Sequence, residues 1–329
     1  MKVLVTGANG FLGAWLTKAL VEEGHEVSAL VRKTSDLSDL QGVPLRLIEG
    51  DVTQPESLDL AFEKQDSIFH LAGLVAYRKS QRALMEKINV DGTRHVVEAC
   101  RRRDIRRLVH MSSVTAIGAG FGPDEILNEN SPFNLAHLNM GYFETKRAAE
   151  ELVREAVWRN ELDAVILNPS TIYGPADAKK GSRKIQIKVA RGEFPYYTQG
   201  GVNVIAVQDV VEGVLQAWKK GRSGERYILS GQNLYIRELF RFIAEAAGEP
   251  PPSIPLPNWL VYLAGMTGEI REKFGATSSL SLENARVSTM YHWFDNSKAR
   301  RELGLIPQPA KEAIAASVSW MQEQGLLSK

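Results

Sequence analysis

Tyr142 and Lys146, four residues apart in Tyr142-Phe143-Glu144-Thr145-Lys146, are the pair whose types and spacing point first to chemistry. In a helix that separation puts both side chains on one face. A free phenol keeps its proton up to a pKa near ~10, and a neighbouring ammonium favours the phenolate and lowers that value. The phenol could then exchange a proton with a substrate oxygen near neutral pH. A helix-surface pair is the competing reading, so the motif needs company. Ser112 and Ser113 close the apolar run Leu108 to Met111. At the C-terminal end of a sheet strand a hydroxyl faces the crevice where ligands bind, although a serine there can also simply cap a turn. Asn89 falls inside a helical pattern, where asparagine is disfavoured. That suggests a side chain put to use, against the plainer option of a solvent-facing amide.

A second constellation opens the chain. Thr6-Gly7-Ala8-Asn9-Gly10-Phe11-Leu12-Gly13 joins an apolar run to a helical pattern. Glycines at Gly7, Gly10 and Gly13 suit a tight turn, a close backbone approach to a pyrophosphate and close helix packing on the strand. The free N–H groups and the positive helix end would hold phosphates. The next strand ends at Val31-Arg32-Lys33. An NAD site usually carries an acid there for the ribose 2′-hydroxyl. Arg32 and Lys33 favour a 2′-phosphate, hence NADP over NAD. Solvated charges are the alternative, and Asp36 and Asp39 are acids lying beyond the strand end.

These groups need a scaffold. Strand-like runs at Lys2 to Thr6, Glu26 to Val31, Leu45 to Ile48, Ser67 to Leu71, Leu108 to Met111 and Ala164 to Leu167 alternate with helical patterns at Phe11 to Glu23, Gln81 to Arg103 and Tyr142 to Arg159. Continuous apolar strands spaced by helices predict a parallel sheet covered on both faces, a doubly wound α/β fold. After Pro175 the texture changes. A basic stretch (Lys179, Lys180, Arg183, Lys184) leads into a helix, followed by a strand at Val202 to Val207, a helix at Val210 to Lys219 and a strand at Tyr227 to Leu229. Glu238 to Ala247, Lys298 to Leu303 and Lys311 to Gln324 read as helices, with a proline-rich linker at Pro250 to Pro257. The expected division is residues 1–174 as the cofactor-binding domain, with 202–230 contributing to it. Residues 175–201 and 231–329 then form mainly a smaller C-terminal substrate-binding lobe.

Composition narrows the function. Forty basic residues against 39 acidic ones leave a net charge of +1, so nothing calls for a nucleic acid or a membrane surface. The apolar run Trp259 to Ala264 is too short to span a bilayer. The single cysteine, Cys100, reads as a packing residue in a reducing compartment, and the chain as cytoplasmic. Six scattered histidines show no metal-ligand spacing, and no metal is expected.

Taken in order, these motifs resemble the extended short-chain dehydrogenase/reductase family, the NAD-dependent epimerase/dehydratase superfamily. They include Asp51-Val52, His70-Leu71-Ala72-Gly73, Asn89-Val90-Asp91-Gly92-Thr93, Asn168-Pro169-Ser170-Thr171-Ile172-Tyr173-Gly174-Pro175 and Val207-Gln208-Asp209-Val210. Within the family the look is of dihydroflavonol-reductase-like bacterial members. The resemblance implies a Rossmann fold with Tyr142 as general acid/base, Lys146 tuning it and binding the nicotinamide ribose, Ser113 holding the substrate oxygen, and Asn89 completing a tetrad. It implies cofactor contacts from Gly7, Asn9, Gly10, Phe11, Leu12, Gly13, Arg32, Lys33, Asp51, Val52, Leu71, Ala72, Gly73, Asn168, Pro169, Ser170 and Thr171. It also implies a homodimer through the helices holding Cys100 and Tyr142. Where sugar-nucleotide epimerases carry a second asparagine after the sixth strand, this chain has Thr171.

The expected reaction is NADPH-dependent reduction of a ketone or aldehyde. Phe133, His137 and Met140, together with Phe121, Leu135, Leu138, Tyr196, Tyr197, Trp259 and Tyr262, are the apolar stock for a hydrophobic carbonyl substrate, although any one of them could instead pack the lobe interface. An NDP-sugar epimerase or dehydratase that recycles tightly held NAD is the alternative. A non-catalytic NADP sensor is a third reading, opposed by the intact Ser113, Tyr142 and Lys146.

Overall fold

The computed structural model describes residues 1–178, 183–273 and 281–328. Lys179 and Lys180 of the basic stretch lie outside them.

Seven parallel strands make the main sheet: β1 (Lys2–Thr6), β2 (Glu26–Val31), β3 (Arg46–Glu49), β4 (Ser67–His70), β5 (Arg107–Met111), β6 (Ala164–Pro169) and β10 (Arg226–Leu229). Their order is β10-β6-β5-β4-β1-β2-β3. Chain order runs outward from β1 in one direction to β3, then resumes at β4 on its other side. The C-terminal ends of β1 and β4 therefore flank a crevice at the reversal point, where such sheets bind ligands. Strands such as Val3–Val5 and Ile68–Phe69 are fully buried, because helices cover both faces.

One face packs α1 (Phe11–Glu22), α7 (Val207–Lys220) and α11 (Ser297–Leu303) around Leu16, Leu20, Val214 and Trp218. The other packs α2 (Pro55–Ala61), α4 (Gly92–Arg102) and α5 (Gly141–Trp158) around Leu58, Val96, Cys100 and Val153. Cys100 is a buried free thiol, pushed up from its ordinary pKa by desolvation.

The helix expected from Gln81 to Arg103 is broken. A short α3 (Arg82–Met85) runs into a π-helical turn over Glu86–Asp91 before α4 begins at Gly92. Such wider turns concentrate at functional sites.

The smaller lobe has its own sheet. β11 (Gln232–Tyr235), β9 (Gly201–Ala206) and β13 (Tyr291–His292) lie side by side, and β7 (Thr171–Tyr173) also pairs with β9. Residues 202–230 thus divide between the two sheets, β9 joining the smaller one and β10 the larger. Helices α6 (Lys184–Ala190), α8 (Ile236–Ala247) and α12 (Ala310–Glu323) cover the small sheet around Phe240, Ile243 and Ile314. The proline-rich stretch contributes β12 (Ile254–Pro255), which pairs with β8 (Tyr196–Tyr197). Helix α9 (Asn258–Lys273), unforeseen from the sequence, packs on α10 (Leu282–Thr289) so closely that a Cβ at Gly265 would sit 3.0 Å from that of Ala285.

Candidate active site and family

The glycine loop fits a bound pyrophosphate. Gly7 adopts φ +72°, and a Cβ there would lie 2.7 Å from the Ala72 nitrogen. A Cβ at Gly13 would meet the Gly7 carbonyl oxygen at 2.1 Å. The turn therefore works only without side chains at both positions. α1 begins at Phe11 with no side-chain cap and no acid in its first turn, which leaves its N–H groups and positive end for an anion. Thr6 on β1 ties the loop to the next strand pair. Its Oγ1 lies 2.8 Å from His70 Nδ1 and accepts from the Ala72 amide at 3.2 Å. Arg32 and Lys33 are exposed just beyond β2 and form no ion pair among the described residues.

Asp51 and Val52 follow β3. The Asp51 carboxylate accepts from the Thr53 amide at 2.8 Å, and the Val52 carbonyl lies 2.9 Å from His95 Nδ1. Leu71, Ala72 and Gly73 continue from β4 across the crevice, and Gly73 is exposed with its Cα facing Asn89 and Lys146. Asn9 donates to the Asp36 carbonyl at 3.3 Å. Asn168 and Ser170 turn inward: Asn168 donates to the Ser113 carbonyl at 2.9 Å, and Ser170 to Asn203 Oδ1 at 2.6 Å.

Tyr142, Lys146, Ser113 and Asn89 come together from three distant stretches. Tyr142 and Lys146 are buried on one face of α5. The Tyr142 phenol lies near the hydroxyls of Ser113 and Thr115, the latter unforeseen, and both favour its ionised form. Lys146 Nζ donates to the Met111 carbonyl at 2.7 Å. Asn89, in the π turn, clasps Leu74: its Oδ1 accepts from the Leu74 amide at 2.7 Å, and its Nδ2 donates to the Leu74 carbonyl at 3.0 Å. Nδ2 also donates to Thr145 Oγ1 at 3.1 Å, and that hydroxyl donates to the Tyr142 carbonyl at 3.1 Å. The irregular turn thus positions both the β4 loop and the base of the tyrosine helix.

The electrostatics differ from the sequence expectation. Burial raises the phenol of Tyr142 above its ordinary value, while the nearby hydroxyls of Ser113 and Thr115 pull the other way. Lys146 spends its proton on the β5 carbonyl, and burial brings its own pKa down to about 8, opposed by the Glu150 carboxylate. His70 is pushed down to about 3 by burial, with Lys146 adding to it, so it is a neutral strut between Thr6 and Thr93. Its neighbour His110 is also held neutral, and neither of its ring nitrogens has a hydrogen-bond partner among the described residues.

A cavity of about 380 Å³ is walled by Phe121, Leu138, Tyr262, Leu282, Thr289 and Met290, with Asn258 and Arg286 among its polar members, and it shares Leu138 and Met290 with the apolar cluster around Tyr142. Met140 and Phe133 pack with Tyr142 and Met290 in the adjoining apolar cluster, and exposed His137 stacks near Phe121 at 6.4 Å. Tyr77, from the loop after β4, sets its ring edge-on to Tyr142 at 5.9 Å. Of the aromatic stock foreseen, Tyr196 and Tyr197 lie on β8, where Tyr197 packs on the small-lobe core and Tyr196 against Phe194, and Trp259 is exposed. Sequence reading missed Tyr77, Thr115 and the α10 residues, since loop and short-helix positions carry no periodicity.

The NAD dependent epimerase/dehydratase family matches residues 3–230. The chain belongs to that family. It is therefore an NAD(P)-dependent enzyme of the extended short-chain dehydrogenase/reductase type, as the order of motifs implied. It is 32% identical to "Sterol demethylase protein B" of Methylococcus capsulatus, over 99% of this chain and 100% of that one. It is also 32% identical to a "Putative dihydroflavonol 4-reductase" of Synechocystis, covering 98% of this chain and 94% of the relative. The crystal structure of gox2253 superposes with a TM-score of 0.88 at 32% identity, covering 99% of both chains. Among the described residues no cluster of metal-ligating side chains occurs, and no helix is long and apolar enough to cross a membrane.

Proposed function

We propose that the chain is an NADPH-dependent reductase of a ketone or aldehyde on a hydrophobic small molecule. The observation that carries the reading is a buried phenol with the Ser113 and Thr115 hydroxyls near it, set in an apolar cluster that shares Leu138 and Met290 with the wall of a cavity. Bound NADPH supplies the hydride. Tyr142 gives its proton to the carbonyl oxygen, Ser113 fixes that oxygen, and the Lys146 ammonium one turn away stabilises the phenolate that forms. The raised phenol of Tyr142 suits a group that must arrive protonated and donate. The unpaired Arg32 and Lys33 support the 2′-phosphate.

Phe121, Leu138, Tyr262, Leu282 and Met290 in the cavity wall, and the sterol and dihydroflavonol in the names of two relatives, support a polycyclic or long-chain substrate over a bare sugar. In this reading the smaller lobe selects the substrate. The chain works in the cytoplasm as a homodimer through α4 and α5, a pairing supported by Trp158, which is 81% exposed at the end of α5.

The deciding experiment measures NADPH and NADH oxidation against hydrophobic ketones, aldehydes and NDP-sugars, after recording the absorbance of the purified protein. Turnover of an apolar carbonyl with freely exchanging NADPH is the expected result. Retained nicotinamide and NDP-sugar conversion without net oxidation would replace the reading with an epimerase or dehydratase.

A further inference from the structure

Glu150 lies one helical turn beyond Lys146 and is 3% exposed. A carboxylate this deep is costly unless it is paired and hydrogen-bonded, and three other elements hold it. Arg226 on β10 reaches Oε1 at 3.3 Å. Oε2 accepts from Ser112 Oγ at 2.7 Å and from Asn168 Nδ2 at 2.8 Å. The same Asn168 amide donates to the Ser113 carbonyl at 2.9 Å. One buried anion therefore grips the Ser112–Ser113 corner twice, once directly and once through Asn168. Buried ion pairs seldom add more stability than apolar residues of the same volume, so stability alone gives little reason for an acid here.

We propose that Glu150 is the positioning residue of this site: it fixes the corner that presents the Ser113 hydroxyl to Tyr142 and keeps a negative charge one turn from the Lys146 ammonium. The inference rests on the reductase reading above. The groups facing Lys146 are Tyr142 and Glu150 on α5, His70 on β4 and His110 on β5, with Arg226 behind Glu150. Both histidines are neutral, so Glu150 supplies the opposing charge. Its neighbour Glu151 sits at the surface, paired with Arg147 at 2.8 Å, and takes no part.

Glu150→Gln keeps the size and one acceptor and removes the charge. Its kcat is expected to fall by about tenfold or more, with the KM for the carbonyl substrate little changed. The alkaline limb of kcat moves to lower pH, because the Lys146 ammonium loses the anion that holds its proton. Independently of turnover, the ultraviolet phenolate titration assigned to Tyr142 by difference against Tyr142→Phe moves to lower pH, because Lys146 is already neutral where the raised phenol titrates and an anion on the same helix has been removed. Ser112→Ala removes one donor and no charge. It is expected to lower kcat a few-fold with neither titration moving, and it tests the positioning half if Glu150→Gln does not fold. Parental kcat in both variants, or an unmoved limb and phenolate titration in Glu150→Gln, would overturn the proposal. If the parent reduces no carbonyl at all, the reductase reading falls, and the phenolate titration still decides the role of Glu150.

Discussion

Lys146 Nζ is anchored to the Met111 carbonyl at 2.7 Å, so the ammonium is fixed to the end of β5 before any ligand arrives. Its burial has a thermodynamic sign. The folded pKa, near 8, lies below the ordinary lysine value of 10.5, so the unfolded chain binds the proton more tightly. This group therefore opposes folding below pH 8, and the penalty fades as pH rises toward 10.5. Lys146→Met is expected to melt at or above the parent temperature at pH 7, the gap closing by pH 10, while turnover falls by about a hundredfold or more. Thermal melts across that range check the sign. A variant less stable at pH 7 than at pH 10, relative to parent, contradicts it.

Removing the phenolic oxygen isolates the proton donor. Tyr142→Phe keeps the ring packed edge-on against Tyr77 and removes only the oxygen near the Ser113 and Thr115 hydroxyls. Turnover is expected to drop by about 10² to 10⁴ with cofactor affinity unchanged. Substantial remaining turnover would take Tyr142 out of the chemistry.

In the proposed reading Arg32 sets the preference for NADPH. A charge-assisted hydrogen bond to phosphate contributes about 1.5–3 kcal/mol. Arg32→Ala is therefore expected to weaken NADPH by about ten- to a hundredfold and to leave NADH nearly unaffected, read from the two KM values. Equal losses for both nucleotides would mean that the guanidinium does not touch the 2′-phosphate.

The turn at Gly13 tolerates no side chain. A methyl at 2.1 Å from the Gly7 oxygen forces the loop and α1 apart. Gly13→Ala is expected to abolish nucleotide binding, followed by fluorescence of the reduced cofactor. Gly24→Ala is a contrasting control, at φ +81° with open space around it, and costs backbone strain only.

Much of the frame was legible because buried parallel strands spell themselves out. Val3–Val5, Ala29–Val31 and Val165–Leu167 are unbroken apolar runs, and the motif residues sit at their ends. Helix α9 was hidden because its pattern is inverted. Gly265 packs inward against α10, while Trp259, Leu263, Met266 and Ile270 point outward and are exposed. Strands β7, β11 and β13 are too short for an alternation to register. Glu150 and Glu151 are identical letters on one helix, and only the arrival of β6 and β10 from far along the chain makes one of them a buried anion.

The wide turn at Glu86–Asp91 makes α3 and α4 a single rod with one extra residue taken up inside it. Shortening it by one amino acid would restore regular winding with α3 and α4 still nearly in phase, and would remove the local widening that carries Asn89. Asn89 would then no longer clasp Leu74. Aligning this chain with a relative that lacks the extra unit, and closing the gap for the sake of matched letters, would put the wrong side chain in the clasp.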